Sequence, residues 1–91
     1  MKKIKTGGQF RKDIKRYSNK PDKLRRLYAI VELLRNEEPV PNEFRPHKLT
    51  GDYVGCMECH IESDFLLVWI DEEKKIIKLL RLGTHSELFG R

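Results

Sequence analysis

The sequence predicts an α+β fold: a two-helix hairpin on one face of a mainly antiparallel sheet of four to five strands, with a short C-terminal helical turn. Three observations predict it. Apolar residues recur at helical spacing between Phe10 and Leu34. Three prolines between Glu37 and Pro46 then interrupt the pattern. From Phe44 onward the apolar runs are short, strand-like and separated by turn residues. Helices segregated to one side of an antiparallel sheet form an α+β layer arrangement.

The first element is a short edge strand over Met1–Thr6, ended by Gly7-Gly8. A helix follows at once, because Phe10, Ile14 and Tyr17 form one apolar stripe while Arg11, Lys12, Lys15 and Arg16 occupy the other side. Pro21 suits the first turn of a second helix, where its missing N–H leaves no bond unmade, and Asp22 favours the positive end of the helix dipole. Leu24, Leu27, Tyr28, Val31 and Leu34 carry helical period to about Asn36, with Lys23, Arg25, Arg26 and Arg35 off the stripe.

The proline-rich loop leads to His47. Strand-like segments follow at Arg45–Leu49, Tyr53–Ile61, Phe65–Ile70 and Lys75–Leu82, with turns at Thr50-Gly51-Asp52 and Asp71-Glu72-Glu73-Lys74. In the second of them Tyr53, Met57, Cys59 and Ile61 alternate with Cys56, Glu58 and His60, which aims His60 away from the helices. Phe65-Leu-Leu-Val-Trp-Ile70 is continuously apolar, as a central strand covered on both faces is.

A chain of 91 residues supports one core, so residues 1–91 are expected to form a single domain. Its N-terminus lacks the apolar stretch of a signal peptide and no run reaches membrane-spanning length, which implies a cytoplasmic protein without a membrane partner. Cys56 and Cys59 are then expected as thiols; on a strand, positions i and i+3 point to opposite faces, which disfavours a joint metal or redox role. The net charge of +5 is unevenly spread: residues 1–50 carry 14 Lys+Arg against 6 Asp+Glu, residues 51–91 carry 5 against 8. A basic half is the electrostatic footprint of a polyanion binder. A solvated helix surface is the plainer explanation of the same charges.

All three histidines, His47, His60 and His85, fall at element boundaries, where side chains are free to serve a site. A three-residue turn, Ile61-Glu62-Ser63, sets His60 opposite Asp64, so that the carboxylate can orient an imidazole; a two-residue turn sends them to opposite faces. Imidazoles titrate near neutrality, so a pair can act as general base and general acid without a metal, which suits RNA cleavage by its own 2′-hydroxyl. Arg81 offers a bidentate contact to the phosphate, or is a surface arginine. Phe89 is either a core anchor or a platform for a base. The same histidines with Asp64 also form a conceivable Zn²⁺ ligand set, though the spacing argues weakly against it.

The pattern His-x-Leu-x-Gly-x-Tyr-x-Gly from His47, then Glu-Cys-His-Ile-x-x-Asp-x-Leu-Leu from Glu58, then Leu-Leu-Arg-Leu-Gly-Thr-His-x-x-Leu-Phe ending at Phe89, resembles the YafQ family of toxins. That family lies within the RelE/ParE superfamily of bacterial type II toxin–antitoxin systems. The resemblance spans nearly the whole chain and implies a RelE-like fold and a ribosome-dependent mRNA endonuclease acting in the ribosomal A site. It also implies no cofactor or metal requirement, and a cognate antitoxin in a hetero-oligomer that binds DNA through the antitoxin. The catalytic positions it implies are His47, His60, Asp64 and His85, with Arg81 and Phe89 on the substrate. Lys12, Lys15, Arg16, Lys23, Arg25 and Arg26 are assigned to ribosomal RNA from charge alone. A non-catalytic RNA- or ribosome-binding module is the competing reading, and a gyrase-targeting toxin of the same superfamily is another; the histidine constellation argues against the latter.

Overall fold

The computed structural model describes residues 1–72 and 75–90. Its elements run β1 (Lys3–Thr6), α1 (Gly8–Lys15), α2 (Pro21–Arg35), β2 (His47–Lys48), β3 (Met57–Glu62), β4 (Phe65–Glu72), β5 (Ile76–Gly83) and α3 (His85–Phe89), with 3-10 turns at Asn42–Phe44 and Gly51–Tyr53. The sheet order is β1-β5-β4-β3-β2. Every neighbouring pair is antiparallel except β1 with β5. The helical hairpin, the five strands and the C-terminal helical turn agree with the sequence reading.

The helix stripe is rotated from the expected one. Leu27, Ile30 and Leu34 are the buried residues of α2, whereas Tyr28 is 55% exposed. With Phe10 and Tyr17 they meet Cys59, Ile61, Phe65, Leu67 and Trp69 in one core. Each such side chain contributes about 1.5–3 kcal/mol of burial. On the opposite face Leu66 and Val68 pack with Cys56 and Leu88, and Leu49, Tyr53 and Phe89 lean on that smaller cluster. β4 is therefore covered on both sides, as its unbroken apolar run requires. Cys56 and Cys59, both free and buried, fall in opposite clusters.

Three boundaries differ from expectation. The strand expected over Arg45–Leu49 is only His47–Lys48, because Arg45 takes a left-handed conformation (φ 51°) that no strand continues. The strand expected from Tyr53 begins at Met57, after a 3-10 turn and Gly55 at φ 91°. Asp71 and Glu72, expected in a turn, extend β4, while Glu73 and Lys74 of that turn lie outside the described residues.

β1 pairs with β5 only as far as Thr6 opposite Leu79. Beyond that point α1 lies along the strand edge: Gly7 N–H donates to Leu79 O at 2.8 Å, and Asp13 Oδ2 accepts from Leu82 N–H at 2.9 Å. A helix carboxylate thus satisfies an edge donor that a longer β1 would have paired. Gly83 then turns the chain back into α3 at φ 153°, where an added Cβ would stand 2.6 Å from Glu87 Oε1.

Candidate active site

Strand alternation puts Glu58 and His60 on the face of β3 opposite the helices, and the β2 register sets His47 directly across from Glu58. His47 Nε2 lies 3.1 Å from Glu58 Oε1, and His60 Nε2 lies 3.8 Å from the same oxygen. The other ring nitrogens are also held: His47 Nδ1 is 2.7 Å from Arg45 O, and His60 Nδ1 is 3.4 Å from Ser63 O. Glu58 is 4% exposed, and its Oε2 is buried with no hydrogen-bond partner among the described residues. A buried carboxylate between two imidazoles, with one oxygen unused, is costly unless it serves a ligand or a proton.

Asp64 does not face His60. Glu62 pairs with Phe65, so the turn holds two residues, Ser63 and Asp64, and the register shifts between His60 and Glu62. Asp64 instead reaches the start of α3, where its Oδ1 accepts from His85 N–H at 2.9 Å and sits 2.7 Å from His85 Nδ1. These contacts, the backbone one first and the ring second, hold the Asp64 carboxyl below the usual carboxylate range. With Nδ1–H donated to Asp64, His85 keeps Nε2 for other chemistry. Its ring centroid is 5.6 Å from that of His60 and 6.3 Å from that of Phe89; His60 in turn is 6.1 Å from His47. The structure thus brings His47, His60, His85 and Phe89 into one row.

α3 is fixed by a capping box: Thr84 Oγ1 accepts from Glu87 N–H at 3.1 Å while Glu87 Oε1 accepts from Thr84 N–H at 2.9 Å. Phe89 is half-buried with its ring edge-on to Tyr53, at 5.6 Å. Arg81 is anchored rather than free. Its Nε donates to Asp13 Oδ2 at 2.8 Å, Nη2 to Glu87 O at 3.4 Å and Nη1 to Tyr53 Oη at 3.5 Å. It remains 17% exposed, beside the Tyr53 hydroxyl.

The basic helix residues divide. Lys12 and Lys15 are exposed, and Arg16 sits 3.8 Å from Asp13 and 3.9 Å from Glu87. Arg25 pairs with Asp22 on its own helix, while Lys23 and Arg26 both bind Glu62. Of the six, Arg26 lines a cleft shared with His60. Sequence reasoning missed two acidic groups, Glu58 and Asp13. Glu58 shares the even-numbered face with His60, and Asp13 falls three residues after Phe10 and four before Tyr17, on the apolar stripe. A charge in either place signals a buried partner.

A small mixed sheet with helices behind it and imidazoles, carboxylates, an arginine and an aromatic in front defines the RelE-like class of toxin fold. The chain belongs to the YafQ family: the model described as "Bacterial toxin of type II toxin-antitoxin system, YafQ" matches residues 2–90. Over 88 residues the chain is 32% identical to the mRNA interferase toxin YafQ of Escherichia coli K12, covering 96% of this chain and 95% of that protein. A metal-bound toxin from Helicobacter pylori superposes with a TM-score of 0.88 at 37% identity, over 98% of this chain and all (100%) of that one. The E. coli DinJ–YafQ complex matches with a TM-score of 0.85 at 31% identity, over 99% of this chain and 100% of that chain.

Proposed function

We propose that this chain is an mRNA interferase: a ribosome-dependent endoribonuclease that enters the 30S A site, cuts the messenger there and so inhibits translation. The observation that carries the reading is the Asp64–His85 contact, with His85 5.6 Å from His60. It supplies two imidazoles in different settings. His60 or His47, backed by Glu58, takes the proton of the 2′-hydroxyl, and the 2′-oxygen attacks the phosphorus. His85, oriented through Nδ1 by Asp64, gives a proton from Nε2 to the departing 5′-oxygen as the P–O5′ bond breaks. The products are a 2′,3′-cyclic phosphate and a 5′-hydroxyl. Arg81 offers charge to the phosphate and Phe89 a face for a base. Exposed Lys12 and Lys15, with the other basic helix residues, contact ribosomal RNA.

The partner that silences the enzyme is an antitoxin, as the DinJ complex of the E. coli relative suggests. The hetero-oligomer binds DNA through that antitoxin. The working compartment is the cytoplasm; among the described residues no helix is long and apolar enough to cross a membrane.

The metal-bound H. pylori toxin favours a second reading of part of the site. Ligand atoms of His47, Glu58 and His60 lie within 4.8 Å of one another, and the unpartnered Glu58 Oε2 adds a hard donor. Two imidazoles and a carboxylate suit zinc or copper, which would lower the pKa of a bound water or polarise a phosphoryl oxygen. One experiment separates the readings: 5′-end mapping of a defined mRNA on programmed ribosomes, with wild type and His60→Ala, with and without chelator, beside an RNA-only control. Ribosome-dependent cuts within the A-site codon, lost in the variant and indifferent to chelator, are expected. Chelator-sensitive cuts would assign the triad to a metal, and ribosome binding without cuts would make the chain a binding module.

A further inference from the structure

The sheet face that carries Glu58 and His60 continues beyond the imidazoles. Residues directly opposite in neighbouring strands share a face. The pairs His60–Leu66, Val68–Arg81, Ile70–Lys78 and Lys5–Lys78 therefore place one band of side chains from β3 across β4 and β5 to β1. Lys3, opposite Ile76, lies on the same face further along β1. Half-buried Ile70 and Leu80 pack onto the Leu66–Val68 cluster. What this end of the face turns to solvent is the charge of its lysines.

Lys3 and Lys5 are exposed, Lys78 is half-buried, and none of the three has an ion-pair or hydrogen-bond partner among the described residues. The Lys78 stem leans toward the end of β1: its Cε lies 3.6 Å from where a Cβ on Gly7 would stand. A stem laid on the sheet with its ammonium in water suits a half-buried lysine. Arg11 adds a fourth cation at the end of β1. Its Nη1 donates to Thr6 O at 2.6 Å and to Thr6 Oγ1 at 3.2 Å, and it meets no carboxylate among the described residues. Glu72, opposite Ile76, offsets charge at the Lys3 end, so the positive potential centres on Lys5, Lys78 and Arg11.

From this placement we infer that Lys5, Lys78 and Arg11, with Lys3 behind them, form a track for the messenger's backbone on the 3′ side of the cut. The inference rests on the ribonuclease reading above and deepens it: it concerns how the strand is held, not which base is read. Lys78 stands four residues along and two strands across from His60, roughly 16 Å by strand geometry. A phosphate held there is not the scissile one and belongs to a nucleotide further along the strand. Nucleotides before the A-site codon pair with transfer RNA in the neighbouring site, which leaves the 3′ side as the free strand. Contacts to phosphate fix register and orientation and carry no sequence information. Each also releases condensed counterions, so binding gained this way is salt-sensitive. An acidic protein offers the same charge, but the band is continuous with Arg81 and His60, and that continuity favours the strand being cut.

The test is cleavage on programmed ribosomes of messengers shortened stepwise from the 3′ end toward the A-site codon. Wild type is compared with Lys3→Gln/Lys5→Gln/Lys78→Gln and with the charge-keeping Lys3→Arg/Lys5→Arg/Lys78→Arg. Binding to ribosomes without messenger is measured in parallel. Wild-type kcat/KM is expected to drop about tenfold once the downstream nucleotides are gone, with a steeper salt dependence on long messengers than on short ones. The glutamine variant should cut the long messenger as poorly as wild type cuts the short one. The arginine variant should keep the length dependence, and all three proteins should bind empty ribosomes alike. Equal cleavage by wild type and the glutamine variant at every length overturns the track and leaves the ribonuclease reading intact. Weaker binding of the glutamine variant to empty ribosomes also overturns it, since the lysines then serve ribosomal RNA. Failure of wild type to cut any messenger removes the ribonuclease reading, and the track falls with it.

Discussion

Arg81 on β5 donates through Nε to Asp13 on α1 at 2.8 Å, and that carboxylate has no exposed surface. Burial raises the Asp13 pKa, but the Arg81 hydrogen bond, the Leu82 N–H and Gln9 together outweigh it and leave the pKa lowered. A depressed carboxyl pKa contributes stability that is complete above the unfolded carboxylate range and is lost as pH falls through the folded value. Asp13→Ala leaves Arg81 without its counter-charge and is expected to cost about 3–5 kcal/mol by urea unfolding. Asp13→Asn should lose part of the acid dependence of stability. If its unfolding curve follows pH as wild type does, the carboxylate is not the group being protonated.

Asp64 stays ionised across the neutral range, because His85 N–H and then the His85 ring stabilise its anion. Single-turnover cleavage by Asp64→Asn should therefore fall, because the amide no longer offers the His85 ring a charged acceptor at Nδ1. Removing the proposed acid, in His85→Ala, should cost about 10²–10⁴-fold with ribosome binding retained. Full cleavage by His85→Ala would sink the assignment of the leaving-group proton to this residue.

The elements were legible in the sequence where one periodicity acted alone. The helices, the doubly covered β4 and the outward aim of His60 follow from spacing. Boundaries set by backbone geometry were not: Arg45 in a left-handed conformation has no compositional mark, and it shortened β2. The partner of Asp64 depended on a single residue of turn length, because a two-residue turn moves the carboxylate off His60 and onto His85. Glu58 and Asp13 went unread for a different reason. A charge inside an alternating or helical pattern looks like noise until its partner, distant in sequence, is placed beside it. Asp13 meets Arg81 from 68 residues away.

Cys59 lies in the main core with its thiol pushed up to about 12, by burial first and by the neighbouring Glu58 charge second. The thiolate is the reactive form, so Cys59 should resist iodoacetamide in the native protein and label once urea unfolds it. Peptide mass mapping after brief exposure reads the outcome. Native labelling of Cys59 would mean that β3, which carries His60, opens far more often than its packing implies.

Tyr17 extends the helix stripe to the α3 end of the molecule. Its hydroxyl donates to Glu87 Oε1, the oxygen that also accepts from Thr84 N–H, while its ring packs at 4.7 Å from Phe65. Burial, and then Glu87, raise the Tyr17 pKa well above the usual tyrosine value. The unfolded chain thus releases this proton first, and the stabilisation is lost as pH rises from the ordinary tyrosine range toward the folded value. Tyr17→Phe keeps the ring and deletes the donor, for an expected loss of about 1.5–3 kcal/mol because the acceptor is charged. The functional consequence should be local: α3 carries both His85 and Phe89, so looser capping there lowers the cleavage step more than ribosome binding. Hydrogen exchange at Leu88 and Gly90, whose amides bond back to Thr84 and Ser86 within this turn, should quicken in Tyr17→Phe. Unchanged exchange at those amides would separate Tyr17 from α3 and leave it a core residue alone.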